Sequence, residues 1–354
     1  MKKFKNYLER KPLAKYILTR VISSLFTLFL VITAIFLLLA AVPKEKYINR
    51  DTIKKAPLEL QEAMKNQTYE RLGLNDPVLV RLFSYYYDIL PIPKKVCLKS
   101  SYDVNYHTIC KKEGIVLFDF GTSIKYKVGK PVGEFIAEKF PISMLVGFLS
   151  LMVTYAIGYP LGVFMAKHKD GLVDRLGNGF IVLLMAVPRI VQYYVIIVLS
   201  MTIFHAPTIF NIRKPGSWVT PILALGVLSS GGVAMWVRRF MVDEMNADYV
   251  KFARAKGLPE NKIFFVHILR NAIVPLARNI PMSIIFTIVG SYYAERLWAI
   301  PGSGSLLIGA IQRYDNPLIL ALSITYATIS MFAFLAGDLT TVIADPRVSF
   351  IKNK

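Results

Sequence analysis

Residues 248–275 read DYVKFARAKGLPENKIFFVHILRNAIVP. The stretch is polar and basic, it lies between two long apolar runs, and its pattern is helix, glycine, helix. Asn246 is the expected N-cap, and Asp248 places negative charge in the first turn. Arg254 and Lys256 fall in the last turn, where cations suit the helix dipole. Gly257 stands where a left-handed C-cap residue belongs, and Pro259 with Glu260 opens a second helix. So short a first helix is marginal alone in water and must pack on something. Tyr249, Phe252, Ala253 and Lys256 recur at helical spacing on one face, two aromatic rings beside a small residue. His267, Arg270 and Asn271 follow at one-turn spacing in the second helix. Two readings stand at this point. The hairpin is a docking element for a groove on a partner, or it is a solvated loop with good caps.

The rest of the chain is oily. Of 354 residues, 54% are hydrophobic and 19% charged, and the mean hydropathy is +0.46, which is a membrane composition. A net charge of +20 raises nucleic acid as a partner. The basic residues sit in short segments between apolar runs, where they meet lipid headgroups, and no nucleic-acid motif accompanies them. Six spans are expected: Ile17–Val42, Ile142–Ala166, Gly179–Phe204 with an interruption at Pro188 and Arg189, Trp218–Val237, Ile273–Ala294 and Leu318–Ala344. Each approaches the roughly 20 apolar residues that a bilayer core demands, and backbone satisfaction in lipid makes them helices. The uncharged run Val21–Val42 exceeds the apolar core of a signal peptide and reads as a retained helix.

Orientation follows from the short flanks. Lys2, Lys3, Lys5, Arg10, Lys11, Lys15 and Arg20 precede the first span, and Lys167, Lys169 and Arg175 follow the second. Arg238, Arg239, Lys251, Arg254, Lys256, Lys262, Arg270 and Arg278 follow the fourth. Alternating helices put all three segments on one side, and the positive-inside rule makes it the cytoplasm, with both termini. Segment 43–141 is then external and too long for a linker, so a small folded subdomain is expected there, helical near Leu58–Leu72. Its two cysteines, Cys97 and Cys110, form no C-x-x-C, and with His107 alone they do not make a metal site. A disulfide between them and two unpaired thiols are both open readings.

The quoted run closely resembles the cytoplasmic "EAA" loop of binding-protein-dependent ABC importer permeases, in the variant of oligopeptide and dipeptide permeases. The matching positions are Ala253–Gly257, His267, Arg270, Asn271 and Pro275. Two further stretches agree in order. YYAERLWAIPGSGSLLIGAIQRYDNPLI (Tyr292–Ile319) is similar to the family's glutamate, Pro-Gly-x-Gly and Asp-x-Pro-like segment, and GDLTTVIADPRVSF (Gly337–Phe350) to its C-terminal ending. Lys251-Phe252-Ala253 stands where the general loop has Glu-Ala-Ala, and RYDNP replaces an Arg-Asp-Tyr-Pro order. The long outer segment is similar to that of Gram-positive relatives. The resemblance implies an all-α integral membrane protein of the type I ABC importer permease fold, divided into 1–42, an extracytoplasmic subdomain 43–141 and a permease core 142–354. It implies a subunit that moves oligopeptides into the cell across the plasma membrane. Its partners would be a second permease subunit, two cytoplasmic P-loop ATPases and an extracytoplasmic substrate-binding lipoprotein. The ATPases would dock on the loop 241–275, at Tyr249, Phe252, Ala253, Arg254, Ala255, Lys256 and Gly257. Relatives of this class also carry nickel complexes, opines or glutathione, so the substrate stays open.

Other chemistry is thinly represented. No G-x-x-x-x-G-K-[ST] occurs; Gly129-Lys130 is followed by Pro131, so the chain supplies no phosphate cradle for ATP. No cofactor, metal or catalytic constellation is expected. PGSGS (Pro301–Ser305) lacks the first glycine of a nucleophile elbow and reads as a sharp turn, and His205 has no acidic partner by spacing. An ion-coupled secondary transporter needs mid-membrane ionisable groups, and Arg189 is the clear candidate. Arg189 reads either as lining a translocation path toward peptide carboxylates or as a structural pair with an acidic neighbour. Asp338, Asp345, Pro346 and Arg347 are expected to anchor the last span.

Overall fold

The computed structural model describes residues 12–47, 58–102, 108–277, 280–281, 283 and 292–344. Four of its helices are long and apolar enough to cross a membrane: α1 (Pro12–Ala40), α4 (Val132–Lys167), α7 (Gly216–Met245) and α12 (Asn316–Ala344). Between α4 and α7 lie α5 (Leu172–Ala186) and α6 (Arg189–Phe204), which pass the same test only as a pair, bent by 108°. The expected third span therefore begins earlier than Gly179 and is not one rod. Half of the expected fifth span, Ile273–Ala294, lies outside the described set.

The bend has a local cause. Pro188 has no N–H to offer and caps α6 with φ −56°, while Val187 closes α5 in extended conformation. A broken helix leaves carbonyls without partners, which lipid cannot satisfy. Gln192, buried, answers them: its Nε2 donates to the Leu184 carbonyl at 2.8 Å and to that of Val187 at 3.0 Å.

Two compact units emerge: Met1–Ile22 with Phe140–Gly304 and Ile329–Lys354, and Ser23–Lys139 with Ser305–Thr328. In the first, α4 and α7 approach through small residues. A Cβ on Gly158 would lie 2.7 Å from Val233 Cβ, and one on Gly162 would lie 2.6 Å from Val237 Cβ. At the end of these helices Arg238 grips Asp174 with Nε at 2.5 Å and Nη2 at 2.6 Å. Asp174 is only 2% exposed, and the Asp170 N–H and Asn178 amide also donate to it. Helix α7 runs on past the expected end at Val237, through Arg238, to Met245.

The second unit contains a 3-10 turn (Lys44–Tyr47), α2 (Leu58–Arg71) and α3 (Val78–Ile89). An antiparallel ribbon of β1 (Lys94–Tyr102) and β2 (Thr108–Val116) follows. Helix α2 covers the stretch where helix was expected. The ribbon register sets Cys97 opposite Glu113 and Cys110 opposite Ser100, with irregularities between Cys97 and Ser100; the cysteine side chains lie outside the described set. The DNP turn after α11 (Ser303–Arg313) is tied to the GTS loop. Asp315, fully buried, accepts from Ser123 Oγ at 2.5 Å and from the N–H groups of Tyr126 and Lys125 at 2.8 and 3.0 Å. The RYDNP order is accommodated by Tyr314, whose φ of 58° turns the chain.

Candidate functional site

Two residues after α7 the chain enters α8 (Asp248–Ala255). Asn246 does not cap α8. It closes α7, with its Nδ2 donating to the Val242 carbonyl at 3.2 Å, and the N-cap of α8 is Ala247, which has no side-chain cap. The reason is the extra length of α7, which brings Asn246 into its last turn. The rest of the capping scheme is present. Asp248 is in the first turn and bonds Lys251 at 2.8 Å; Arg254 is in the last; Gly257 has φ +72°. Pro259 caps the next segment, a turn Glu260–Lys262, a π-helical stretch Ile263–Ile268 and α9 (Leu269–Ala277).

The two sides of α8 differ sharply. Val250 and Ala253 are buried with Val237 and Met241 of α7, with Ile263, Phe264 and Ile268 of the π stretch, and with Ala272 of α9. Tyr249 is half-buried: its hydroxyl donates to Glu244 Oε2 at 2.6 Å, and Asn271 hydrogen-bonds the same phenol. Burial, together with the Glu244 bond, pushes that phenol up to about 12. On the open side stand Phe252, 69% exposed, with Lys251, Arg254, Ala255, Lys256 and Gly257. The four-residue face expected from spacing is therefore split. Ala253 and most of Tyr249 belong to the base, whereas Phe252 and Lys256 face outward. Arg254 closes the hairpin onto Glu260 at 2.8 Å. Sequence reasoning missed the π stretch, which leaves Phe265 and Val266 exposed beside buried Phe264; π turns recur at functional sites.

Elsewhere the singled-out residues serve the scaffold. Arg189 opens α6 and donates from Nη1 to the Leu228 carbonyl of α7 at 2.6 Å, so its near partner is backbone and not an acidic side chain. The PGSGS turn follows α10 (Tyr292–Leu297), and there Glu295 Oε1 accepts from Ser143 Oγ at 2.7 Å. The Ser303 N–H donates to the same Ser143 Oγ at 2.8 Å. A Cβ on Gly302 would lie 2.4 Å from both Glu295 Oε1 and Ser143 Oγ, so a side chain there would force one of these two groups to shift. Ser303 is fully buried in this knot, and His205 is an exposed left-handed cap on α6, which is not the geometry of a nucleophile and its base. Asp338 pairs with Arg20 at 3.2 Å, as an anchor should; Asp345, Pro346 and Arg347 lie outside the described set.

The sequence is similar to those of known transport proteins. Over 209 residues, 58% of the chain, it is 38% identical to the oligopeptide transport system permease protein AmiC of Streptococcus pneumoniae, spanning 42% of that protein's length. It is 29% identical over 340 residues to the dipeptide transport system permease protein DppB of Lactococcus lactis, covering 95% of this chain and 99% of that one. Among solved structures, a chain of the inward-facing MetNI methionine ABC transporter aligns with 60% of this chain and 97% of its own length, at 16% identity and a TM-score of 0.48. The family model for the binding-protein-dependent transport system inner membrane component matches residues 158–350, which include α7, the α8 hairpin and the PGSGS turn. The chain is a multi-pass membrane protein and belongs to that family of transport components.

Proposed function

We propose that the chain is a permease subunit of an ATP-driven importer that moves oligopeptides into the cell. The observation that carries this is the division of α8. Its inner side is fixed by Val250 and Ala253 to the end of a membrane-length helix, while its outer side offers Phe252 and Lys256 to a partner. A push on Phe252 is delivered to α7 and to the helix after Gly257 at once, because both pack on the same core. With no phosphate-binding loop in the sequence, the motor is a separate P-loop ATPase docked there. ATP-driven closure of two such ATPases shifts the permease between inward-open and outward-open populations. The α8 hairpin and both termini are cytoplasmic in this reading. Segment 43–141 is external and meets a substrate-binding lipoprotein, and a second permease subunit completes the path. The names of the related AmiC and DppB proteins support peptides as the cargo.

Gentle purification of the chain from native membranes, followed by identification of what travels with it, tests the assignment. Two P-loop ATPases and a second permease are expected. Recovery of this chain alone, still transporting without ATP, overturns it.

A further inference from the structure

One face of α3 is polar and looks into the second unit. Arg81, Ser84, Tyr85 and Asp88 follow one another at helical spacing, and all four line a cavity of about 510 Å³. Pockets that hold small ligands measure about 300–1,000 Å³. Phe36 of α1 and Leu320 of α12 supply apolar lining. Another part of the wall is the loop 121–124, which Asp315 fixes by accepting from Ser123 Oγ at 2.5 Å and from the Ile124 N–H at 3.2 Å. A wall held in place before a ligand arrives lowers the cost of binding.

The lining carries opposite charges that do not meet. Arg81 is part-buried and makes no ion pair among the described residues; its guanidinium lies over the Phe36 ring, 5.9 Å from the centroid. Asp88, also part-buried, has no hydrogen-bond donor to its carboxylate among the described residues. Beside it is a second acid on the same cavity, Asp119, whose N–H donates to the Asp88 carbonyl at 2.9 Å. Burial first, and then the field of Asp119, raise the Asp88 carboxyl above its ordinary value, with Lys94 opposing. Lys94 does not bond that carboxylate. Its Nζ donates to the carbonyls of Tyr87 and Leu90 and lies 4.6 Å over the Tyr87 ring. Part-buried charges without partners are costly until a ligand brings counter-charges.

Spacing names the ligand. Arg81 and Asp88 are seven residues apart on one helix face, about 10 Å of rise. A lone cation leaves Arg81 unanswered, and a lone anion leaves Asp88 and Asp119 unanswered. No cluster of three metal-ligating side chains occurs among the described residues, so a metal ion does not fit. A free amino acid carries its two charges too close together to meet both ends. An extended chain advances about 3.3–3.6 Å per residue, which sets the ends of a tripeptide about 10 Å apart.

We propose that this cavity binds a short zwitterionic peptide of about three residues, with its ammonium at Asp88 and Asp119 and its carboxylate at Arg81. The site rests on its lining; that its ligand is also the cargo rests on the importer reading.

Photolabelling tests it. The full protein, with the permease and ATPase partners that co-purify but without a binding lipoprotein, is placed in lipid nanodiscs and irradiated with the tripeptide alanyl-photoleucyl-alanine. Mass spectrometry should find label within residues 36–40, 72–88 or 119–129. Excess trialanine should suppress it, whereas N-acetyl-trialanine, trialanine amide and free alanine should not. Arg81→Gln and Asp88→Asn should each lower labelling tenfold or more, and Arg81→Lys should retain part of it. Absence of label from these segments, equal suppression by the end-blocked peptides, or undiminished labelling of both charge-removing variants overturns the proposal. The end-blocked peptides need no variant, so their result stands even if a substitution disturbs folding. Failure of the importer reading is distinguishable, because labelling would then persist in vesicles that take up no peptide on ATP.

Discussion

Arg254 Nε lies 2.8 Å from Glu260 Oε1, and the chain between them turns through Gly257 at φ +72°. The ion pair and the glycine hold the same corner, but not equally. The pair is 45 and 68% exposed, and exposed pairs contribute about 0–1 kcal/mol. The left-handed turn excludes proline outright and costs other residues about 1 kcal/mol. Arg254→Ala should leave transport near normal, Gly257→Ala should lower it several-fold, and Gly257→Pro should abolish it while membrane insertion persists. Proline also removes the N–H that bonds the Arg254 carbonyl at 2.9 Å. ATP-dependent uptake in reconstituted vesicles measures all three, and normal transport by Gly257→Pro would remove the hairpin from the coupling path.

The split of α8 separates two kinds of defect. Phe252 is 69% exposed, and surface changes usually alter stability by less than about 0.5 kcal/mol. If its ring seats in an ATPase groove, truncation costs about 2 kcal/mol or more of association. Phe252→Ala should therefore lower ATPase recovery on co-purification tenfold or more, with an unchanged melting temperature. Ala253, 8% exposed, is different: Ala253→Trp overpacks the base, costs about 1–3 kcal/mol or more of stability and abolishes transport with insertion intact. Equal melting temperatures for the two variants would contradict the assignment of sides.

Tyr249 gives a pH signature by its flatness. Its phenol is raised from the ordinary 10.0 to about 12, first by burial and then by the bond to Glu244. The neutral, hydrogen-bonded form thus contributes its full stability below pH 10 and loses it between pH 10 and about 12. Tyr249→Phe should lower stability by about 1–2 kcal/mol. It should leave the shape of the uptake profile between pH 6 and 8.5 unchanged, as parallel profiles for the two proteins would show.

What could be read ahead of the structure divides along physical lines. Gly257 was legible because a residue type with one steric permission stands just past a basic last turn. Asn246 was misread because a cap that ends one helix and a cap that starts another look alike when two residues separate them. Deciding between them required knowing that α7 continues past Arg238 to Met245. The Pro188 interruption was visible, but its 108° was not, since the repair by Gln192 is a matter of side-chain reach. The outward side of α8 could not be separated from its base by periodicity alone, because both Phe252 and Ala253 satisfy the same spacing.

Arg189 and Gln192 act on one break, which makes their variants informative together. Gln192→Leu strands the Leu184 and Val187 carbonyls, and each unsatisfied buried group costs about 1–3 kcal/mol. Arg189→Gln removes the clip to the Leu228 carbonyl. Both should lower thermal stability and reduce the maximal uptake of acidic and basic peptides in equal proportion, with little change in half-saturating concentration. A selective loss of acidic peptides in Arg189→Gln would instead place that guanidinium in the path.

The Gly302 knot tests whether its tight glycine is steric. An added Cβ meets Glu295 Oε1 and Ser143 Oγ at 2.4 Å, so Gly302→Ala should cost about 1–3 kcal/mol. Ser143→Ala alone should also destabilise, because it removes the acceptor of the Ser303 N–H and the donor to Glu295. Combined, the two changes should cost less than their sum, since the alanine at 143 has already removed one of the clashing atoms. Contacting pairs of this kind couple by about 0.5–3 kcal/mol. Thermal unfolding of the two single variants and the double variant in lipid measures the coupling. Strict additivity would mean that Gly302 is required for its backbone alone, and the turn after Pro301 would then owe nothing to the buried Glu295–Ser143 pair.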